Sequence, residues 1–125
     1  MIFDSLYFQN TVIGSAMQAA VFRNEVISNN IANADTPGFK KSRVVFEESL
    51  QRALDKIKRT GEKDLSGVDM RAELMHETFN YRVDANNVDM EVEMSDLYQN
   101  AAKYDALTSM AINNNRRINL VVSGR

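Results

Sequence analysis

The sequence predicts a mainly α-helical, elongated fold. Long antiparallel N- and C-terminal helices form a coiled-coil-like inner domain, joined by a short mixed middle of helix, loop and one small strand or hairpin. Three observations predict it. Apolar residues in the C-terminal third recur at alternating steps of four and three for more than four heptads. A helical apolar stripe with no proline fills the first thirty or so residues. The segment between them holds the only proline, Pro37, and three of the five glycines, Gly38, Gly61 and Gly67. The terminal segments 1–33 and 86–125 then make up the inner domain, and 34–85 the turn, short helix and loop or strand between them.

The N-terminal helix runs from about Phe3 to Asn33. Ile13, Ala16, Met17, Ala20, Ile27 and Ile31 form one stripe, with Val12, Ala19 and Val26 beside it. The small residues Ala16, Ala19 and Ala20 let another helix approach closely. Gly14 weakens the helix locally, by about 1 kcal/mol relative to alanine.

Asn33 to Phe39 reads as a chain reversal, with Pro37-Gly38 suited to a type II turn. An amphipathic helix follows from about Arg43 to Arg59, with Phe46, Leu50, Leu54 and Ile57 on one face. Thr60 to Lys63 and Ser66-Gly67 break it. Thr78 to Val83 alternates like a short strand.

The C-terminal helix extends through Val88 to Ser123 without glycine or proline. Its heptad runs through Met90, Met94, Leu97, Ala101, Tyr104, Thr108, Ala111, Asn115, Ile118 and Val122, with Leu107, Met110, Ile112, Leu120 and Val121 flanking. Asn86 or Asn87 caps its start, Asp89, Glu91 and Glu93 follow, and Arg116 and Arg117 sit near its end, all favourable to the helix dipole. The packing seam of the two helices comprises Ile13, Met17, Ala20 and Ile27 with Met94, Leu97, Ala101, Tyr104, Leu107, Ala111, Ile118 and Val122. Helices of 31 to 35 residues span roughly 45–52 Å, whereas a compact globule of this length is only about 35 Å across. The molecule is therefore elongated, and apolar helix surface is left over for other chains.

Composition narrows the function classes. A chain of 125 residues is one domain's worth. Fifteen basic and seventeen acidic side chains give a net charge of −2, which argues against non-specific nucleic-acid binding. Charge is segregated all the same: eight basic and four acidic residues lie between Lys40 and Lys63, and five acidic with no basic between Asp84 and Asp96. Either these are solvated faces or they set register between neighbouring copies. No cysteine and one histidine, His76, leave no thiol chemistry and little for imidazole catalysis. The scattered glycines form no phosphate loop. Asp84 to Asp89 resembles a calcium loop only faintly, lacking the loop glycine and carrying Ser95 at the twelfth position. No catalytic, cofactor or metal site is expected, and no enzyme activity. The N-terminus lacks the early basic region of a secretory signal, its first basic residue being Arg23, and the polar Gln9, Asn10, Thr11 and Gln18 spoil it as a membrane span.

The run Val26 to Lys40 contains Ser28-Asn29-Asn30-Ile31-Ala32-Asn33 followed by Thr36-Pro37-Gly38-Phe39. It resembles the N-terminal signature of bacterial flagellar rod and hook proteins. A second block, Arg82 to Met90, and the helix through Lys103 to Thr108 are similar to the C-terminal half of the short proximal-rod members. Ala85 departs from that pattern, which has glycine there. The resemblance implies an assembly motif of Asn29, Asn30, Ile31, Ala32, Asn33, Thr36, Pro37, Gly38 and Phe39. It also implies a junction before the last helix formed by Asp84, Asn86, Asn87 and Asp89. Asn29, Asn30 and Asn33 either cap the helix and its turn or bond between subunits.

That family implies a structural subunit of the proximal rod of the basal body, exported without a cleaved signal through the flagellar type III apparatus. It assembles outside the cytoplasmic membrane into a helical tube that transmits torque and surrounds the export channel. Implied partners are other copies of the chain, adjoining rod proteins, the rod-to-membrane-ring junction protein and the export apparatus, with no nucleic acid and no direct membrane insertion. Ordering each residue costs about 1–2 kcal/mol, so the terminal helices are expected to order against neighbours, and aspartate at Leu97 or Leu107 to block incorporation while sparing export. Two other classes share some of these features. A cytoplasmic helical adaptor or export chaperone would be a closed coiled-coil dimer, and a small carboxylate- or metal-using enzyme would need a pocket.

Overall fold

The computed structural model describes residues 2–62, 73–78 and 82–124. The element order is α1 (Ile2–Ala32), β1 (Ser42–Val45), α2 (Glu47–Thr60), β2 (Glu73–His76) and α3 (Met90–Ser123). The fold is mainly helical. The 31 residues of α1 and 34 of α3 give unbroken rods of about 46 and 51 Å. They pack against each other in opposite directions: Asn10 bonds Asn115 towards one end, and Asn30 bonds Glu93 towards the other.

Two faces of α1 are covered. Leu6, Ile13, Ala20 and Ile27, one heptad apart, are buried on one. Ala19 and Val26 on the other join Val44 and Phe46 in a small core, with Ala16, Phe22 and Leu50 partly buried around it. The small alanines at 16, 19 and 20 are what let both neighbours come close.

The middle differs from the sequence expectation in two places. The helix expected from Arg43 begins only at Glu47, because Ser42–Val45 is strand β1, antiparallel to β2 with Ser42 opposite His76 and Val45 opposite Glu73. Val44 and Val45 are β-branched and buried, which suits a pleated surface better than a helix start. The amphipathic face of α2 stands: Phe46, Ser49 and Ala53 are buried, and Leu50, Leu54 and Ile57 half-buried. Gly61 ends the helix in the left-handed region at φ 69°, its N–H donating to the Ile57 carbonyl at 2.8 Å. Strand β2 at Glu73–His76 was not expected; of the strand expected at Thr78 to Val83, the central residues Phe79 to Tyr81 lie outside the described residues, as do Lys63 and Ser66-Gly67. His76 is exposed on β2, its Nδ1 2.8 Å from the Ser42 hydroxyl.

Candidate functional site

The two motif blocks, fifty residues apart in sequence, fold into one knot where α1 ends and α3 begins. After α1 the chain turns sharply: the Phe39 N–H donates to the Thr36 carbonyl at 3.2 Å, with Gly38 at φ 73°. These are the marks of a type II turn, which needs positive φ at its third residue. The Asn33 amide folds back to donate to the Asn29 carbonyl at 2.8 Å, and its oxygen accepts from the Thr36 hydroxyl at 3.3 Å.

Asn86 is the centre of the knot. Its Nδ2 lies 3.0 Å from the Asn33 carbonyl, 3.0 Å from that of Ala34 and 2.8 Å from that of Thr36. Its Oδ1 accepts from the Val88 N–H at 2.7 Å, and the side chain is completely buried. Around it, Gly38 N–H donates to the Asp84 carbonyl at 2.9 Å and Arg82 to the Ala34 carbonyl at 3.1 Å. The Lys40 ammonium reaches the Ala85 carbonyl. Asn87, also buried, accepts from the Lys41 N–H at 2.7 Å and donates to the Glu77 carbonyl at 3.3 Å. A carboxamide suits this work because it offers two donors and an acceptor on one short, uncharged side chain.

Asn86 and Asn87 are therefore not the cap of α3. Asp89 is, its carboxylate accepting from the N–H groups of Glu91 and Val92 at 3.0 and 3.3 Å. Asn86 is withdrawn from that role by the carbonyls of the turn, and Asn87 by the Lys41 N–H and the Glu77 carbonyl.

The three motif asparagines have three roles. Asn33 caps its own turn. Asn30 is buried and leaves the helix: its amide donates to the Ser42 carbonyl at 2.8 Å and accepts from the Ser42 N–H at 3.0 Å, pairing with the edge of β1 as a strand residue would. The same Nδ2 donates to Glu93 at 3.0 Å. Asn29 is exposed, and its side chain makes no hydrogen bond among the described residues. Ile31 and Phe39 are half-buried; Ala32, Thr36, Pro37 and Gly38 are exposed.

The helix seam is rotated from the expected one. On α1, Ile13, Ala20 and Ile27 are buried and Met17 half-buried; on α3, Met94, Leu97, Leu107, Ala111 and Ile118 are half-buried, while Ala101, Tyr104 and Val122 are exposed. The described residues of α3 buried most deeply are Glu93, Asn100 and Asn114. Asn100 donates to the Ala20 carbonyl at 2.8 Å; Asn114 donates to the Leu6 carbonyl at 3.2 Å and the Asn10 oxygen at 2.7 Å. Polar bonds to α1 thus turn the column of Glu93 inward in place of the more apolar column of Met94. Arg116 and Arg117 lie well before Ser123, outside the last turn, where a dipole effect has faded.

Charge organises the flank. Glu93, buried, has the Lys41 ammonium 3.6 Å away, and Lys41 also stands 3.7 Å from Glu77. Glu47 is bound by Arg23 at 2.6 Å, with Lys103 at 3.8 Å. Partial burial pushes the Glu47 carboxyl up, but the Arg23 hydrogen bond, a backbone hydrogen bond and the two cations together hold it below the usual glutamate value. These groups line an open cleft of about 320 Å³ whose walls carry both signs in balance, so its charge selects no ligand class. Among the described residues no three acidic or histidine side chains gather as metal ligands, and no helix is long and apolar enough to cross a membrane.

Residues 12–40, most of α1 and the turn, match the family of flagella basal body rod proteins. Similar proteins include the flagellar basal body rod protein FlgB of Borrelia hermsii, 35% identical over 114 residues, covering 80% of this chain and 84% of that one. FlgB of Bacillus subtilis is 33% identical over 107 residues, covering 80% and 83%. FlgB of Aquifex aeolicus is 30% identical over 105 residues, covering 82% and 83%. The chain belongs to the FlgB family. Membership makes it a rod component of the flagellar basal body.

Seen as a FlgB-family chain, the knot joins the asparagine-rich N-terminal motif to the block before the last helix, and Ala85 sits inside it. Ala85 has φ 61°, in the left-handed region where only glycine is free of a steric cost. That is a physical reason for the glycine that the resemblance leads one to expect at this position. Reading the sequence alone did not single out Asn100, Asn114 or Ser42. The only signal for the two asparagines was their seven-residue spacing from Glu93, one column away from the apolar heptad.

Proposed function

We propose that this FlgB-family rod component acts by assembly alone, with no catalysis and no cofactor. Its terminal helices form the inner rod domain, and residues 34–85 are the connecting segment that holds them at one end. In this reading the chain is exported by the flagellar type III apparatus without a cleaved signal, and assembles outside the cytoplasmic membrane with other copies, adjoining rod proteins and the protein joining rod to membrane ring. The packed helices then surround the export channel in coiled-coil fashion and carry torque.

One observation supports this best: α3 remains widely apolar on its outer surface after α1 has packed on it. Val92, Tyr98, Met110, Ile112, Leu120 and Val122 are all exposed. Apolar side chains exposed on several sides of so long a helix, on a charged chain, fit an interface with further helices. Leu97 and Leu107 are half-buried between the helices, so aspartate there would disturb the helix pair itself. The informative variant is Leu120→Asp with Val122→Asp, whose side chains face outward. Export of the variant should match the parent, while its amount in purified basal bodies should fall at least tenfold. Undiminished incorporation would refute the reading.

A further inference from the structure

We propose that Glu93, Asn100 and Asn114 form a register code that fixes how α3 is aligned along α1. The inference concerns pairing within one chain and stands or falls independently of what the assembled chain does.

The three residues are spaced by seven and fourteen, and each bonds a different point on α1: Asn30, the Ala20 carbonyl, and the Leu6 carbonyl with Asn10. Leu6 and Ala20 are also fourteen apart, so the bonds belong to a single antiparallel register. They come at a cost. Asn100 and Asn114 are 5% and 4% exposed, yet among the described residues the Oδ1 of each has no hydrogen-bond partner. A buried acceptor without a donor is unfavourable, and an apolar residue of similar size would avoid it.

Apolar packing by itself does not choose the register. The bonds set Leu107 across from Ile13, and a slip of one heptad would set it across from Leu6 or Ala20, which are also apolar. The polar residues do distinguish these states. Asn100 bonds a main-chain oxygen at 2.8 Å past the single methyl of Ala20; one heptad away it would have to reach past the larger side chain of Ile13 or Ile27, as Asn114 does past Leu6 at 3.2 Å. Asn114 would lose Asn10, and Glu93 would lose Asn30. The knot around Asn86 ties the helices at one end only, and Asn114 is 24 residues into α3, about 36 Å along it. A single polar residue in an apolar seam is a well-attested device for fixing alignment at the expense of stability.

The chain has no cysteine, so introduced pairs report alignment cleanly. Met17 and Tyr104 line one shallow cleft between the helices, and Met17→Cys with Tyr104→Cys marks the observed register. Met17→Cys with Leu97→Cys or with Ala111→Cys marks slips of one heptad, about 10 Å either way. With a short thiol crosslinker, the full-length chain should give only the first product. Adding Asn100→Leu and Asn114→Leu should raise the slipped products at least tenfold, while Leu107→Ala, which weakens the same column without touching the polar bonds, should leave the first product dominant. The proposal is overturned if the doubly substituted, folded chain shows only the observed register, or if the parent does not form the first product. Loss of far-ultraviolet helical signal in both single variants would overturn it equally, since the asparagines would then supply stability and not alignment.

Discussion

Replacing Asn86 should reveal how much of the molecule depends on one buried amide. The Nδ2 group has two hydrogens and meets three carbonyls, so it counts as two full bonds, and Oδ1 adds a third from the Val88 N–H. Each is worth about 1 kcal/mol net. In Asn86→Ala the carbonyls keep other donors: Thr36 N–H at 3.0 Å for Asn33, Arg82 for Ala34, and Phe39 N–H for Thr36. The buried Val88 N–H keeps none among the described residues, which pushes the cost towards about 3–4 kcal/mol in total. Domains of this size are stable by about 5–15 kcal/mol, so the variant should fold but with its urea midpoint lowered by roughly 1.5–2 M at an m-value near 2 kcal/mol/M. Amide exchange at Val88 and Gly38 should accelerate with it.

Asn86→Asp sharpens the test because it preserves shape and reverses the donors. A carboxylate there would face three carbonyl oxygens away from water, so its folded-state pKa must rise above the unfolded value of about 3.9. The folded chain then holds its proton longer than the unfolded one, and the stability of this variant should fall as pH rises from about 3.9 to that raised pKa, then level off. A loss below about 1 kcal/mol in the alanine variant, or no such fall in the aspartate variant, would refute the assignment of Asn86 as the centre of the knot.

Two further outcomes follow from single residues. Ala85→Gly removes the steric cost of a left-handed residue, about 1–2 kcal/mol, against a loss of about 1 kcal/mol from greater freedom in the unfolded chain, so it should raise stability by up to about 1 kcal/mol in a urea titration. Glu47, whose carboxyl is held low, should stabilise the fold fully above its unfolded value near 4.3 and progressively less as pH falls through its lower folded value; Glu47→Gln should flatten that part of the parent's acid stability curve, and identical curves would contradict the Arg23 contact.

Much of the architecture was legible locally. The apolar periodicities of residues 3–33 and 88–123 report helices because repeating faces need only spacing, and Pro37-Gly38 reports a turn because the backbone angles it needs are those two residues' own. The Asn-rich motif and the Arg82 to Met90 block were likewise visible as similarity to the rod and hook family. Which face of each helix meets which neighbour was not visible. The column of Met94 reads as the better seam, and nothing in a one-dimensional pattern tells that Asn100 and Asn114 find carbonyls on α1. In the same way Val44-Val45 reads as part of an amphipathic helix until β2 and the Asn30 amide offer a strand its partners. By itself the sequence determined the two long helices, the turn between them and the absence of any familiar chemical motif, since these depend on neighbours along the chain. Only the tertiary structure decided the seam, the small sheet and the roles of the asparagines, because a buried carboxamide is placed by donors and acceptors on other elements, from about ten to more than a hundred residues away.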